Sequence, residues 1–262
     1  MELQVDGKTV FYGSGGREPD PGQPSVVFIH GAGADHTAWV LQTRYFAHHG
    51  RNVLAIDLPG HGRSEGPAID TIGGLADWLM TLLDAAGIEK AAVVGHSMGS
   101  MVALEAAARV PERIWAIALL GTSIPMAVSD GLLAAALAND PAAFDMITIW
   151  AHGEAAQIGR HKVPGLWMTG NGLRLLERSQ PGVLHTDLKA CNDYRDGLAA
   201  AAKVTCPAML LLGDSDRMTP AKAARPLAEA ITGVETVVLP RCGHIMSVEQ
   251  PDAVLDHLRE IV

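Results

Sequence analysis

The chain has 262 residues, 48% of them hydrophobic, with 28 glycines and 15 prolines. This suits one large α/β domain with a sizeable core and room for an insertion, rather than two independent domains. A formal net charge of -9, with no cluster of Lys and Arg, argues against nucleic acid or an anionic membrane as partner.

Leu3 to Tyr12 alternates apolar and polar residues around Asp6-Gly7, a strong hairpin signal. After a loop rich in glycine, proline and charge, Val26-Val27-Phe28-Ile29 forms a continuous apolar run that ends at His30-Gly31-Ala32-Gly33. Such a run predicts a strand buried on both faces of a parallel sheet. A helical pattern from Trp39 to His49 precedes a second buried strand, Val53 to Ile56, which runs into the turn-rich Asp57-Leu58-Pro59-Gly60-His61-Gly62-Arg63-Ser64. Ile72 to Ala86 has helical spacing, with Gly87 as its C-cap.

From Ala91 to Leu104 an apolar run breaks at Gly95, presents Ser97, and resumes after Gly99 as an alanine-rich helix that Pro111 stops. This is the strand–turn–helix form of G-x-S-x-G. So sharp a turn strains the serine backbone, and side chains at Gly95 or Gly99 are expected to collide with neighbouring backbone. The helix N-terminus favours negative charge beside the serine.

Ile114 to Leu120 reads as a further strand, and from Thr122 to about Thr205 the strand–helix alternation lapses. Short helical patterns there are broken by Pro141, Gly153, Pro164, Gly170, Gly172 and Pro181. Alternation resumes with a strand at Ala208 to Leu212, a helix near Ala221 to Ile231, a strand at Glu235 to Leu239 and a terminal helix from Pro251 to Ile261. The order predicts an α/β fold with a doubly wound, mostly parallel sheet. Its core takes residues 1–121 and 206–262, and residues 122–205 form an inserted helical cap. Reactive groups in such sheets gather at the carboxyl ends of the strands.

Cys191, Cys206 and Cys242 lack C-x-x-C spacing and read as free thiols in a reducing compartment. The N-terminus has no basic stretch followed by an apolar one, and Asp130, Asp140, Pro141 and Asp145 interrupt the weakly charged tract from Ile124 to His152. A cytoplasmic protein without a membrane span is therefore expected.

The His30–Gly33 loop, Asp57–Ser64, the Ser97 elbow, Gly213-Asp214-Ser215-Asp216-Arg217-Met218-Thr219-Pro220 and Gly243-His244 resemble, in this order, the α/β-hydrolase superfamily. The likeness is to its serine esterase and enol-lactonase-like branch. Triads in such enzymes run Ser, Asp or Glu, His, an order that Ser97, Asp216 and His244 obey. The resemblance implies that Ser97 is the nucleophile and His244 its general base, an imidazole of ordinary pKa near ~6.5 able to take and return the proton. It implies that Asp216 fixes the imidazole tautomer, while Asp214 caps the turn. The backbone N–H groups of Ala32 and Met98 are the implied oxyanion hole.

His96 rivals His244 by proximity to the serine, but its ring is expected to point elsewhere; His30 is expected to brace the oxyanion loop. His48, His49, His152, His161, His185 and His257 read as surface or cap residues. No pair has metal-ligand spacing, so neither metal nor cofactor is expected. Met126, Met146, Trp150 and Trp167 are the candidate pocket residues of the cap, methionine adapting to irregular ligands. The competing view is that these side chains simply pack cap helices onto the main domain.

The expected function is a serine carboxylic-ester hydrolase (EC 3.1.1) that forms an acyl-enzyme on short- to medium-chain, largely neutral small-molecule esters, as a monomer or homodimer. Enol-lactone or carbon–carbon bond hydrolysis by the same triad is the alternative. A non-catalytic ligand-binding protein of this fold is a third reading.

Overall fold

The computed structural model describes residues 1–159, 163 and 165–262; His161 and Pro164 lie outside them. β1 (Glu2–Val5) and β2 (Lys8–Gly13) pair antiparallel, with Leu3 opposite Val10. Asp6 at φ 48° and Gly7 at φ 75° supply the two left-handed residues that a two-residue hairpin turn needs. β2 also pairs antiparallel with β4 (Asn52–Ile56). All further pairings are parallel, through β3 (Ser25–Ile29), β5 (Ala91–His96), β6 (Ile114–Leu120), β7 (Ala208–Gly213) and β8 (Glu235–Leu239). The order across the sheet is β1-β2-β4-β3-β5-β6-β7-β8. The predicted doubly wound, mostly parallel α/β sheet is what the chain forms.

The pleat of β3 explains its unbroken apolar run. Val27 and Ile29 point into a core shared with the helices Ile72–Ala85 and Met98–Arg109, whereas Val26 and Phe28 point to the opposite face, with Phe46 and Val254. Successive residues face opposite sides, so a strand covered on both sides needs apolar residues at every position. Burying each such side chain contributes roughly 1.5–3 kcal/mol. The helical pattern from Ala221 to Ile231 divides into a tight turn, Ala221–Ala224, and an α-helix, Arg225–Ala230. Pro226 has no N–H to continue the earlier turn and fits the first turn of a new helix instead.

Between β6 and β7 the chain is helical: Asp130–Leu137, Pro141–Ala151, Glu154–Gln157, Met168–Arg178, Val183–Asp193 and Gly197–Ala201. Side chains of Ser129 and Asp140 accept the N–H groups of Leu132 and Ala142, which fixes where the first two begin. Leu132, Ala136, Ala143, Leu176, Leu184 and Leu188 form a separate small core, against which Ala32 packs.

The helix Met98–Arg109 leaves β5 at very close range. A Cβ on Gly95 would fall 2.1 Å from the Gly99 carbonyl oxygen, and one on Gly99 would fall 2.4 Å from the Ile29 carbonyl oxygen. Both obstacles are backbone, so no rotamer change relieves them. Gly95→Ala is therefore expected to destabilise the protein by about 1–3 kcal/mol or more. A thermal melt coinciding with the wild type would show that the helix has room to shift.

Candidate active site

Ser97 sits at φ 52° and ψ -118°, at the start of the helix Met98–Arg109. Few L-residues adopt such a backbone, and it persists only where the surroundings fix it. Here the Ser97 N–H donates to the Leu120 carbonyl at 2.8 Å, and the Ser97 carbonyl accepts the Ser100 N–H at 2.9 Å and the Ser100 hydroxyl at 2.5 Å. The serine is thus pinned to the end of β6 and to its own helix.

Asp216 follows β7 and His244 follows β8, and both side chains are buried. His244 Nδ1 lies 2.7 Å from Asp216 Oδ2. The carboxylate is held from the other side as well. Oδ1 accepts the N–H groups of Met218 and Thr219, each at 2.8 Å, and Oδ2 accepts the Thr219 hydroxyl at 2.8 Å. Burial pushes the Asp216 carboxyl up, but His244 and the Thr219 donors outweigh it and hold the carboxyl below its ordinary range. With Nδ1–H donating to Asp216, Nε2 is the acceptor nitrogen of the His244 ring. Asp214 is exposed and accepts the Ser215 hydroxyl at 2.7 Å within its turn and, across to the loop after β8, the Cys242 N–H at 3.3 Å.

The neighbouring histidines have other work. His96 Nε2 donates to the His244 carbonyl at 2.8 Å, so the residue before the serine grips the backbone of the residue beside Asp216. Burial, then the nearby His244, lowers the His96 ring to about 3, which keeps it neutral. His30 Nδ1 donates to the Gly31 carbonyl at 2.8 Å while Nε2 accepts the Leu58 N–H at 3.1 Å. This braces the loop that carries Ala32. A Cβ on Gly31 would stand 3.1 Å from the Ser97 Cβ, so the same loop lies directly against the serine. Among the described residues, no acceptor meets the N–H of Ala32 or of Met98.

Ser97, His244, Thr219 and Ala32 all open on one cavity of about 620 Å³. Its wall is mainly apolar and includes Met126, Trp150, Leu132 and Leu188; its charged lining residues are Arg174, Arg178 and Arg217. Of the four candidate pocket residues, Met126 and Trp150 line this cavity. Trp167 and Met146 do not. Trp167 is 66% exposed and lies over Gly170, where an added Cβ would come 2.1 Å from its ring. It precedes the helix Met168–Arg178, and its side chain folds back on that helix's first turn. Met146 packs against the small helical core of Leu132 and Leu176. Thr219, whose hydroxyl braces Asp216, went unremarked in the sequence, although it lies inside the quoted Gly213–Pro220 segment.

Asp35, His36 and Asp57 bring possible metal-ligand atoms within 4.8 Å of one another. Protein donors already occupy them: the His36 N–H and Nδ1–H and the Arg63 N–H on Asp57, and Thr37 with Arg178 on Asp35. The group is a structural knot beneath Gly62, where a Cβ would fall 2.4 Å from the Asp57 carboxylate.

Residues 26–257 match the sequence model of the alpha/beta hydrolase family. The chain belongs to the alpha/beta hydrolase family. It is 30% identical over 241 residues to the dihydrolipoyllysine-residue acetyltransferase component of the acetoin cleaving system of Pseudomonas putida, a match over 89% of this chain and 62% of that protein. The chain thus spans less than two thirds of that relative's length. It is 27% identical over 243 residues to a 2-hydroxy-6-oxononadienedioate/2-hydroxy-6-oxononatrienedioate hydrolase of Paraburkholderia phymatum, covering 85% of this chain and 81% of that one. The solved structure of a thermophilic esterase is similar at a TM-score of 0.81 and 27% identity, covering 99% and 95% of the two chains. No helix among the described residues of this chain is long and apolar enough to cross a membrane.

The cavity separates two tryptophans of this chain, Trp150 on its wall and Trp167 at the surface. Trp150→Ala is expected to raise KM for an apolar substrate about threefold or more, through lost apolar contact. Trp167→Ala, a surface change, is expected to move kcat, KM and stability by little, about 0.5 kcal/mol at most. Steady-state kinetics on both variants check the pair.

Proposed function

We propose that this hydrolase cleaves carboxylic esters of small molecules, in the EC 3.1.1 class, through an acyl-enzyme at Ser97. The observation that carries the reading is the 2.7 Å bond from His244 Nδ1 to Asp216 Oδ2, on a cavity shared with a serine held at φ 52°. His244 Nε2 takes the Ser97 Oγ proton as Oγ attacks the ester carbonyl. The oxyanion that forms accepts the free N–H groups of Ala32 and Met98. Collapse breaks the ester C–O bond, and the alcohol leaves with the proton from His244. Water then gives a proton to His244 and attacks the acyl carbon; the second collapse releases the acid and returns the proton to Ser97. Asp216 keeps Nδ1–H oriented and stabilises the imidazolium without taking the proton.

The apolar wall and the volume of about 620 Å³ support a short- to medium-chain, largely neutral ester. Carbon–carbon bond hydrolysis by the same residues is the second reading, favoured by the Paraburkholderia phymatum relative. A screen with ester chain lengths in one arm and vinylogous diketones in the other chooses between them by kcat/KM.

Wild-type protein is expected to be labelled at Ser97 by a fluorophosphonate, and Ser97→Ala to lose the label and about a thousandfold or more in kcat. Label on another residue overturns the assignment. Asp216→Asn is expected to lower kcat by about a hundredfold or more, whereas Asp214→Asn keeps it near wild type. The opposite ranking exchanges the two aspartates.

A further inference from the structure

Asp187 belongs to the helix Val183–Asp193, between β6 and β7, yet its carboxylate is bound to the loops of the main sheet. Oδ2 accepts the Gly33 N–H at 2.8 Å and faces His61 Nε2 at 2.7 Å. Both side chains are deeply buried, at 1% for Asp187 and 3% for His61. The second carboxylate oxygen, Oδ1, is buried without a hydrogen-bond partner among the described residues. Gly33 is packed under the same region, since a Cβ there would stand 3.0 Å from Leu184 Cδ1 and 3.1 Å from Leu176 Cδ2.

The hydrogen bonds of His61 decide its charge. Nδ1 faces the Pro59 carbonyl at 3.0 Å, a group that only accepts, and Nε2 faces the Asp187 carboxylate. Both nitrogens therefore donate, and the ring is an imidazolium. Burial works against the cation, but the charge and hydrogen bond of Asp187 outweigh it and raise His61 above its ordinary value. His30, whose ring centroid is 4.9 Å from that of His61, is neutral, lowered to about 4 by burial and then by the His61 cation. Asp57 adds a weaker pull on His61, and Cys191, on the same helix as Asp187, stays a thiol because burial pushes it up.

We propose that the Asp187–His61 pair is a positioning latch that seats the helix Val183–Asp193 and the Ala32–Gly33 peptide together, so that the oxyanion donor is in place only when that helix is docked over the cavity. The proposal rests on Ala32 N–H serving as an oxyanion donor. Leu188 and Cys191, from the same helix, line the cavity, so the segment that shapes the substrate wall also holds the loop that stabilises its oxyanion. Asp187 and His61 are positioning residues.

The latch has a pH direction. A histidine raised above its unfolded value stabilises the fold fully below the unfolded pKa, near ~6.5, and loses that stabilisation as pH rises through the folded value. A neutral His61 has one proton for two acceptors, so the alkaline limb of kcat falls with it. Asparagine at 187 removes that dependence: its one oxygen takes the place of Oδ2, accepting both the Gly33 N–H and the Nε2–H of a neutral His61, and without the carboxylate charge the ring has no cation to lose.

The test uses the full chain as wild type, Asp187→Leu and Asp187→Asn, following ester kcat and KM from neutral to alkaline pH, thermal melting, and fluorophosphonate labelling. Asp187→Leu, if it melts cooperatively, is expected to lose about tenfold to a hundredfold in kcat with KM little changed, through a misplaced oxyanion donor. Asp187→Asn is expected to hold one kcat across this pH range, at the level the wild type falls to in alkali, with no alkaline fall of its own. A folded Asp187→Leu with wild-type kcat overturns the latch, and so does an Asp187→Asn that retains the alkaline fall. If Asp187→Leu fails to fold, the Asp187→Asn profile decides alone. Wild-type protein that takes no label at Ser97 sinks the serine-hydrolase reading instead, so the two failures are distinguishable.

Discussion

The helix Met98–Arg109 crosses the ends of β3 and β5 with backbone against bare backbone. No side chain fits at Gly95 or Gly99, and that proximity turns the chain at Ser97 into an unfavourable conformation. Such strain costs roughly 1–3 kcal/mol and needs a surrounding structure that over-determines it. Met98, Met101, Val102 and Leu104 supply it by complete burial on the same helix. Ser97 is then tied to β6, His96 to the carbonyl of His244, and the Gly31 loop rests on the serine itself. Three separate chain segments take their positions from one close contact.

Around this contact the buried histidines differ in charge because their partners differ. His30 has one donor and one acceptor as neighbours and is neutral; His61 has two acceptors and is a cation; His96 spends its one N–H on a carbonyl. His244 has a carboxylate on Nδ1. These rings are all buried, so hydrogen-bond geometry assigns each proton. The low polarity of the cavity wall also strengthens any N–H group aimed at a developing charge.

Much of this was legible in the amino-acid order. The apolar runs at Val26–Ile29 and Ile114–Leu120, the Asp6-Gly7 turn and the glycines flanking Ser97 each carry a local physical signature, and each lies in the predicted element. The division of the Ala221–Ile231 helix follows from Pro226, a local cue that the helical periodicity masked. The pocket was less legible. Met126 and Trp150 face the cavity while Met146 and Trp167 do not, and nothing local separates them, because helix docking chooses the face. The Asp187–His61 bond spans 126 residues of sequence and joins a helix to a turn-rich loop. Asp187 alone reads as one more acidic helix residue.

That bond bears on how freely the substrate wall can diverge. The helical segment between β6 and β7 meets the rest of the fold through apolar surface, which tolerates exchange while volume is kept, and through polar ties such as Arg178 to Asp35, the Tyr194 hydroxyl to Glu105 and the Gly153 N–H to Glu249. At position 187 a foreign segment grafted without an acceptor would leave the Gly33 N–H and the His61 cation buried and unpaired. Chimeras that swap specificity in this scaffold must therefore import an acceptor at position 187 along with the new pocket, or carry a compensating change at His61.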